Sequence, residues 1–387
     1  MKIAIVNDHF SSGPGGQHRL QNIAEGFSRL GHQVLYITPN NISHSVFESP
    51  LPLSGPKKFI YPYFTEFFSI YRQLQVMPSG INFLLIGLPN TMSKSLNALF
   101  GIVKKIPTAF DFGGLWTSFF DKGATYDSRS AKLKLFRPIS QFYEDALTIF
   151  SSRLPDLITV PTSGLDYFFE HYTRRATQVI YHPVDTTVAL NPSLKKPIAI
   201  ESFPRKYQQC RFVAVGVKGD EWFVPILERI IKSFKNTNLV FLVIGAFPKA
   251  QHMCKKKGLT DKVFFTGNVP YYILPSYIAL AEFAVVLTPP DLTSIWYAPH
   301  NIAKITDFMA MGKPVVTDSL SAADYVESGV TGFLVKDTPD LIRRAGNLAD
   351  NPELLLRISK ATRKSAIEKF DSVKVAARYL KLFEKLG

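Results

Sequence analysis

Short apolar runs alternate with amphipathic stretches along the whole chain, which is the pattern of parallel sheets covered by helices. In the first half, strands are expected at 2–6, 34–38, 82–86, 108–110, 157–160 and 178–181. Between the first two, residues 17–30 place Leu20, Ile23, Ala24, Phe27 and Leu30 at helical spacing, and Gly31 supplies a left-handed stop. The pattern breaks at 185–205 into Asn191-Pro192-Ser193, Lys196-Pro197 and Phe203-Pro204, which reads as a linker between domains. A second alternation follows, with strands at 211–216, 240–245, 262–266, 284–287, 314–317 and 333–335. Its helices are expected at 224–234, 273–281, 302–311 and 339–349, and two more close the chain at 352–369 and 372–386. The expected fold class is α/β, two doubly wound parallel sheets with ligands at the carboxyl ends of the strands.

Composition narrows the class. The chain has 387 residues, 46% hydrophobic and 20% charged, which excludes a disordered or collagen-like protein. Cys210 and Cys254 alone cannot build a disulfide framework or a four-ligand zinc site, so a reducing, cytoplasmic setting is expected. The longest apolar runs, 81–89 and 239–247, fall well short of the roughly 20 residues a bilayer needs. The first residues, ending in Asp8, read as a buried strand and not as a leader.

The net charge of +14 is shared: residues 1–200 carry 19 basic and 13 acidic side chains, and residues 201–387 carry 26 and 18. No zinc-finger spacing, RNA-recognition signature or basic zipper accompanies it, so nucleic acid is not expected as a partner. Lys57-Lys58, interleaved with Phe59, Tyr61, Tyr63 and Phe64 and followed by Phe67, Phe68, Tyr71 and Arg72, has two readings. It suits an anionic membrane surface, with the protein peripheral to the membrane. It equally suits a core helix with its aromatics on one face.

Two segments carry candidate chemistry. Ser11-Ser12-Gly13-Pro14-Gly15-Gly16-Gln17-His18 joins the first strand to the first helix. Backbone amides at Gly15 and Gly16 could cradle an anion, or the glycines could simply make a tight turn. No third glycine follows at dinucleotide spacing, the second strand ends Tyr36-Ile37-Thr38 without an acid, and no Walker lysine is present. NAD and P-loop chemistry are therefore not expected. In the second half, a helix opening near Asn301 and Ile302 carries Lys304 and Asp307 one turn apart and stops at Gly312. Helix-start amides plus a lysine suit a diphosphate, and a carboxylate one turn on can accept bonds from sugar hydroxyls. The alternative is a surface Lys–Asp pair worth about 0.2–0.5 kcal/mol.

These residues together resemble the GT-B glycosyltransferases, in particular the large family of nucleotide-sugar-dependent enzymes that build surface glycans and glycolipids. Gly15-Gly16, the following helix and Gly31-His32-Gln33-Val34 resemble its first motif, and Asp156–Ser163 the strand that closes its first domain. Val179–Asp185 resembles its "Asn-Gly-Val-Asp" hinge, with His182-Pro183 replacing Asn-Gly. Lys304–Val316 is similar to "Lys-x-x-Glu-x-Met-Ala-x-Gly-x-Pro-Val-Val", and Gly329–Val335 matches its usual sequel. The resemblance implies an acceptor-binding domain at 1–188, a linker at 189–205, a donor-binding domain at 206–368 facing the first across a cleft, and a last helix, 369–387, packing back on the first domain.

It also implies site residues. Lys304 falls at the main phosphate cation, with Lys218 secondary in Gly216–Phe223, and Asp307 at the ribose-binding glutamate, one methylene shorter. Asn268 and Val269, in Gly267-Asn268-Val269-Pro270, fall in the loop against the base. Pro299 stands where many members have a second acid. Transfer requires a stabilised leaving diphosphate and an aligned acceptor hydroxyl. Lys304 and the amides at Gly15, Gly16, Asn301 and Ile302 suit that without a metal or cofactor. Asp111, just after a strand, is either the catalytic base or a turn cap. His18 and Arg19 are the acceptor-side candidates. The expected function is transfer of a sugar, a hexose by expectation, from a nucleotide-sugar to a glycan or lipid-linked acceptor. A GT-B-shaped binding or scaffolding subunit without catalysis is the alternative, favoured by Pro299, by Phe110 in place of a histidine and by Asp307 in place of glutamate. A hexosamine 2-epimerase is disfavoured for want of its acid and histidine set.

Overall fold

The computed structural model describes residues 1–6, 18–38, 41–43, 78–87, 91–112, 146, 149–217, 221–234, 238–289 and 302–386. They fall into two compact units, one running to Tyr181 and resuming at Val373, the other spanning His182–Ser372.

Among the described residues the first unit holds a seven-stranded sheet. Its strands are β1 (Lys2–Val6), β2 (Gln33–Thr38), β3 (Asn41–Ser43), β4 (Phe83–Ile86), β5 (Thr108–Asp111), β6 (Leu157–Val160) and β7 (Gln178–Val179), in the order β3-β2-β1-β4-β5-β6-β7. All neighbours are parallel except β3, which folds back antiparallel on β2 at the edge. The second unit holds six parallel strands, β8 (Arg211–Gly216), β9 (Leu239–Val243), β10 (Val263–Phe265), β11 (Ala281–Val286), β12 (Val315–Thr317) and β13 (Gly332–Leu334). Their order is β10-β9-β8-β11-β12-β13. Both sheets reverse winding once, at β1/β4 and at β8/β11. In a doubly wound sheet that reversal opens a crevice at the carboxyl edge.

The helices form where the apolar stripe and the stops agree. In His18–Arg29 the buried face is Arg19, Leu20, Ile23, Ala24 and Phe27. The turn closes when His32 N–H reaches the Phe27 carbonyl and Gly31 N–H reaches that of Ser28, with Gly31 at φ 82°. Helix Ile302–Ala310 ends the same way: Lys313 N–H bonds Phe308 and Gly312 N–H bonds Met309, with Gly312 at φ 68°. In both, glycine takes the left-handed position that a side chain would disfavour.

The domain limits differ from the sequence expectation. The chain leaves the first unit at 181/182, not 188, and the proline-rich segment 189–205 belongs to the second unit. Phe203 there is buried beside Phe212 and Phe264, and Leu190 is fully enclosed, so the prolines mark turns in packed chain and not a free linker. Asp185 explains the acid of the hinge-like motif. Its carboxylate accepts backbone N–H bonds from Thr187, Val188 and Ala189 and so fixes the turn.

Helix Ser372–Phe383 completes the core of the first unit. Val375, Ala376, Tyr379 and Phe383 are fully buried among Ile3, Ile23, Phe27 and Phe83, and Phe383 stacks on Phe83 at 4.4 Å. Replacing Phe383 by Ala is expected to cost about 3–5 kcal/mol by removing packed area and leaving a cavity. Urea unfolding would show this as a lower midpoint; a loss below about 1 kcal/mol would mean the helix is dispensable to that core.

Candidate functional site

The carboxyl edge of the second sheet gathers most of the chemistry-bearing side chains. Gly216 ends β8, and its carbonyl accepts from Leu287 N–H, just past β11. A Cβ on Gly216 would stand 3.1 Å from Val286 Cγ2, 3.2 Å from Phe308 Cε2 and 3.5 Å from Lys304 Cδ. The missing side chain therefore lets helix Ile302–Ala310 lie directly over the β8/β11 reversal. Lys304 passes its aliphatic stem across that point. The helix amino terminus and a cation thus meet at one place, as an anion site requires.

Asp307 follows one turn later and is only 7% exposed. Its Oδ1 accepts a hydrogen bond from the Tyr271 hydroxyl at 3.2 Å. Burial pushes the carboxyl up to about 7, against the opposing pull of the Tyr271 bond and the Lys304 charge. Asp318, past the end of β12, is also raised by burial, to about 6, although it accepts the Thr288 N–H bond at 2.8 Å. Both shifts come from burial, a feature that ligand-binding sites share with structural networks.

Beyond β9 and β10 the loops are pinned together. Gly245 and Gly267 form a bridge, and Thr266 Oγ1 accepts from Gly245 N–H while donating to the Gly267 carbonyl. Asn268 and Val269 follow, Asn268 exposed and Val269 half-buried, leading directly to Tyr271. Tyr271 was absent from the sequence expectation. Its place three residues after Asn268 was the available signal, but nothing in the spacing announced a bond across 36 positions to Asp307. Ile302 and Lys304 stand at the helix start, Ile302 buried and Lys304 half-buried. Gly15, Gly16, Lys218 and Asn301 lie outside the described residues, as does the aromatic, lysine-bearing stretch 57–72.

In the first unit, Asp111 and Arg19 occupy a different setting from the one their sequence positions suggested. Asp111 is 3% exposed and Arg19 4%. Arg19 donates Nε to Oδ2 and Nη2 to Oδ1, both at 2.8 Å, a bidentate pair. Thr159 Oγ1 and Tyr379 Oη each add a 2.8 Å bond to Oδ1. Two further Arg19 donors reach the carbonyls of Ile180 and Tyr181. Burial alone would raise the Asp111 carboxyl, but the Arg19 charge and the bonds from Arg19, Tyr379 and Thr159 outweigh it and hold the group below its ordinary range. A carboxylate held this way is a poor proton acceptor, and its oxygens are already engaged. The geometry makes Asp111 a structural anchor in place of a base, and Arg19 its partner in place of an acceptor ligand. Arg19 shares a helix face with Ile23 and Phe27, which is the sequence signal that it would be buried and need an anion.

His18 opens the same helix. Its Nδ1 lies 2.7 Å from Gln21 Oε1, and burial lowers its pKa against the effect of that bond, favouring the neutral imidazole. Among the described residues no group of three or more His, Cys, Asp or Glu side chains is arranged to hold a metal, and no helix is long and apolar enough to cross a membrane.

Residues 209–351 match the family model described as "Glycosyl transferases group 1". An alpha-D-kanosaminyltransferase of Streptomyces kanamyceticus is 26% identical over 147 residues, an alignment covering 37% of this chain and 36% of that protein. A sucrose-phosphate synthase of Thermosynechococcus elongatus superposes with a TM-score of 0.70 at 15% identity, covering 100% of this chain and 98% of the other. Anabaena Alr3699/HepE, solved in complex with UDP and glucose, gives 0.65 at 16% identity, covering 99% of each chain. The chain has the GT-B fold of these glycosyltransferases, and the family match falls on the unit that carries Lys304 and Asp307.

Two outcomes follow from these environments. Asp111→Asn leaves Arg19 buried against a neutral partner, so stability is expected to fall by about 3–5 kcal/mol, read by denaturant unfolding. An unchanged midpoint would refute the anchoring role. Asp307 behaves oppositely. Its folded pKa of about 7 lies above the unfolded value near 4, so the native state holds a proton the unfolded state releases, and stability declines as pH rises through that window. Asp307→Asn should therefore melt higher than wild type at pH 8, with the gap closing toward pH 4. A gap independent of pH would contradict the burial argument.

Proposed function

We propose that this protein is a nucleotide-sugar-dependent glycosyltransferase whose donor binds at the carboxyl edge of the second sheet. The observation that carries the reading is the seating of Lys304 and the start of helix Ile302–Ala310 over Gly216 at the β8/β11 reversal. When the sugar leaves, negative charge builds on the diphosphate. A preorganised ammonium and helix amides stabilise that charge without reorganising. In this reading Asp307 accepts bonds from the ribose, and the loop at Asn268 and Val269 lies against the base. No metal or cofactor enters the proposal.

The neighbours favour a sugar nucleotide as the ligand class, since Alr3699/HepE was solved with UDP and with UDP-glucose. We extend the proposal to a hexose moved onto a glycan or lipid-linked acceptor in surface polysaccharide or glycolipid synthesis, at the cytoplasmic side with the protein peripheral to the membrane. The net charge of +14 supports an anionic acceptor or surface. His18, half-buried and favouring its neutral form, is the acceptor-side residue left in the proposal once Arg19 is committed to Asp111.

One observation favours a second reading, a donor-binding subunit without catalysis: Asp111, the candidate base, is engaged in a buried ion pair with Arg19. A panel of UDP-, GDP- and ADP-sugars separates the two. Ligand at 100 times its Kd stabilises the native state by about 2.7 kcal/mol, so the true donor stands out as a raised melting temperature. Release of nucleotide from that donor supports the enzyme, and binding without release supports the subunit.

Lys304→Ala is expected to weaken donor binding about 10- to 100-fold, the scale of a lost charge-assisted bond, while leaving the melting temperature close to wild type. Calorimetric titration giving an unchanged Kd would remove Lys304 from the site.

A further inference from the structure

Helix Ile302–Ala310 carries Lys304 near its start, and its nine residues span about 13 Å. A guanidinium holds its far end. Arg363 stands on helix Pro352–Lys369, against the turn made by Gly312, where a Cβ would lie 3.4 Å from Arg363 Cβ and 3.6 Å from the Ser359 carbonyl oxygen. Arg363 Nη1 donates to the Ala310 carbonyl and, at 3.0 Å, to that of Leu190, while Nη2 donates to the Thr186 carbonyl at 2.6 Å. The Ala310 carbonyl is among the last four of its helix, at the negative end of the dipole, where a cation is favoured.

Thr186 and Leu190 lie just past His182, where the chain enters the second unit, and that stretch is fixed to the place where it leaves, at Ser372. Val184 N–H bonds the Phe370 carbonyl, Ser372 N–H bonds that of Val184, and the Thr186 hydroxyl donates to Asp371. Leu190 N–H in turn bonds the Asp185 carbonyl. Entry and exit are thus stitched into one piece, and the charges of Asp371 and Asp185 favour a cation beside it. Arg363 fastens this piece to the end of the donor helix. Its planar fork presents five donors in fixed directions, whereas an ammonium would bring the charge without the fork.

Resting on the donor-site reading above, we propose that Arg363 is a positioning residue that couples helix Ile302–Ala310 to the crossover piece at 184–190, so that a nucleoside diphosphate bound at the helix start steadies both. The ligand restrains one end of a stiff helix, and the guanidinium grips the other end together with the Thr186 and Leu190 carbonyls. Rigidifying one end of such a linkage slows local opening at the other. Arg363 itself touches no ligand on this account.

The test is hydrogen exchange on the full chain, with and without the tightest binder among UDP, GDP and ADP, for wild type, Arg363→Lys and Arg363→Gln. In wild type, saturating nucleotide is expected to slow exchange at 302–310 and also, by about fivefold or more, at 187–190, the lower end of coupling between sites. In Arg363→Lys, which keeps the charge and loses the fork, slowing at 302–310 persists while that at 187–190 falls below about twofold. The same separation is expected for Arg363→Gln, so a folding defect in one variant leaves the other to decide. Equal slowing at 187–190 in wild type and variants, or none there in wild type while 302–310 is slowed, would overturn the proposal and leave Arg363 a packing residue alone. Absence of slowing at 302–310 in wild type with all three diphosphates would instead refute the donor site on which the proposal rests.

Discussion

The close approach at Gly216 is the constraint on which the second unit is organised. A Cβ on Gly216 would crowd Val286 and Phe308 and touch the stem of Lys304, so the absence of a side chain there eases the helix onto the carboxyl end of β8. That absence brings a helix start and a lysine to the reversal of strand order. The same helix turns Asp307 inward one turn later, and its end is set by Gly312. The helix packing and the course of the Lys304 stem both use the room left at Gly216.

The first unit shows what a polar interior requires. Burying Arg19 and Asp111 removes two charges from water, which is compensated only when geometry is good and the remaining donors and acceptors are met. Here the geometry is good: the pair is bidentate, Thr159 and Tyr379 complete the carboxylate, and two carbonyls take two more of the guanidinium protons. Because Tyr379 arrives from the last helix and Arg19 from the first, the network ties both ends of the chain into one core. The contrast with Asp307 is instructive. One buried acid is surrounded by donors and stays charged, while the other receives one donor and drifts toward neutrality.

Much of the fold was legible because apolar runs and glycine stops report local constraints. Strand β1 lies where it was expected, and Gly31 and Gly312 close their helices by the same pair of backbone bonds. Less legible were features set by tertiary contact. Edge strand β3 is three residues that pair antiparallel with β2, too short to show a period. Helix Pro248–Lys256 carries Lys249, Lys255 and Lys256 around a narrow buried side of Ala250 and Cys254, so its apolar signal is faint. In the site, Lys304 and Asp307 were visible because they share one helix. Tyr271 and the Arg19–Asp111 pair were not, because their partners lie 36 and 92 positions away.

The central claim is that a nucleotide-sugar sits on the carboxyl edge of the second sheet. Hydrogen exchange read by mass spectrometry, on the full chain with and without a saturating sugar nucleotide, tests it most directly. The account predicts slowed exchange at 302–310 and 267–273 on binding, since these amides lie on the helix and the loop that flank the ligand. Protection confined to other segments, with these two unchanged, would contradict it.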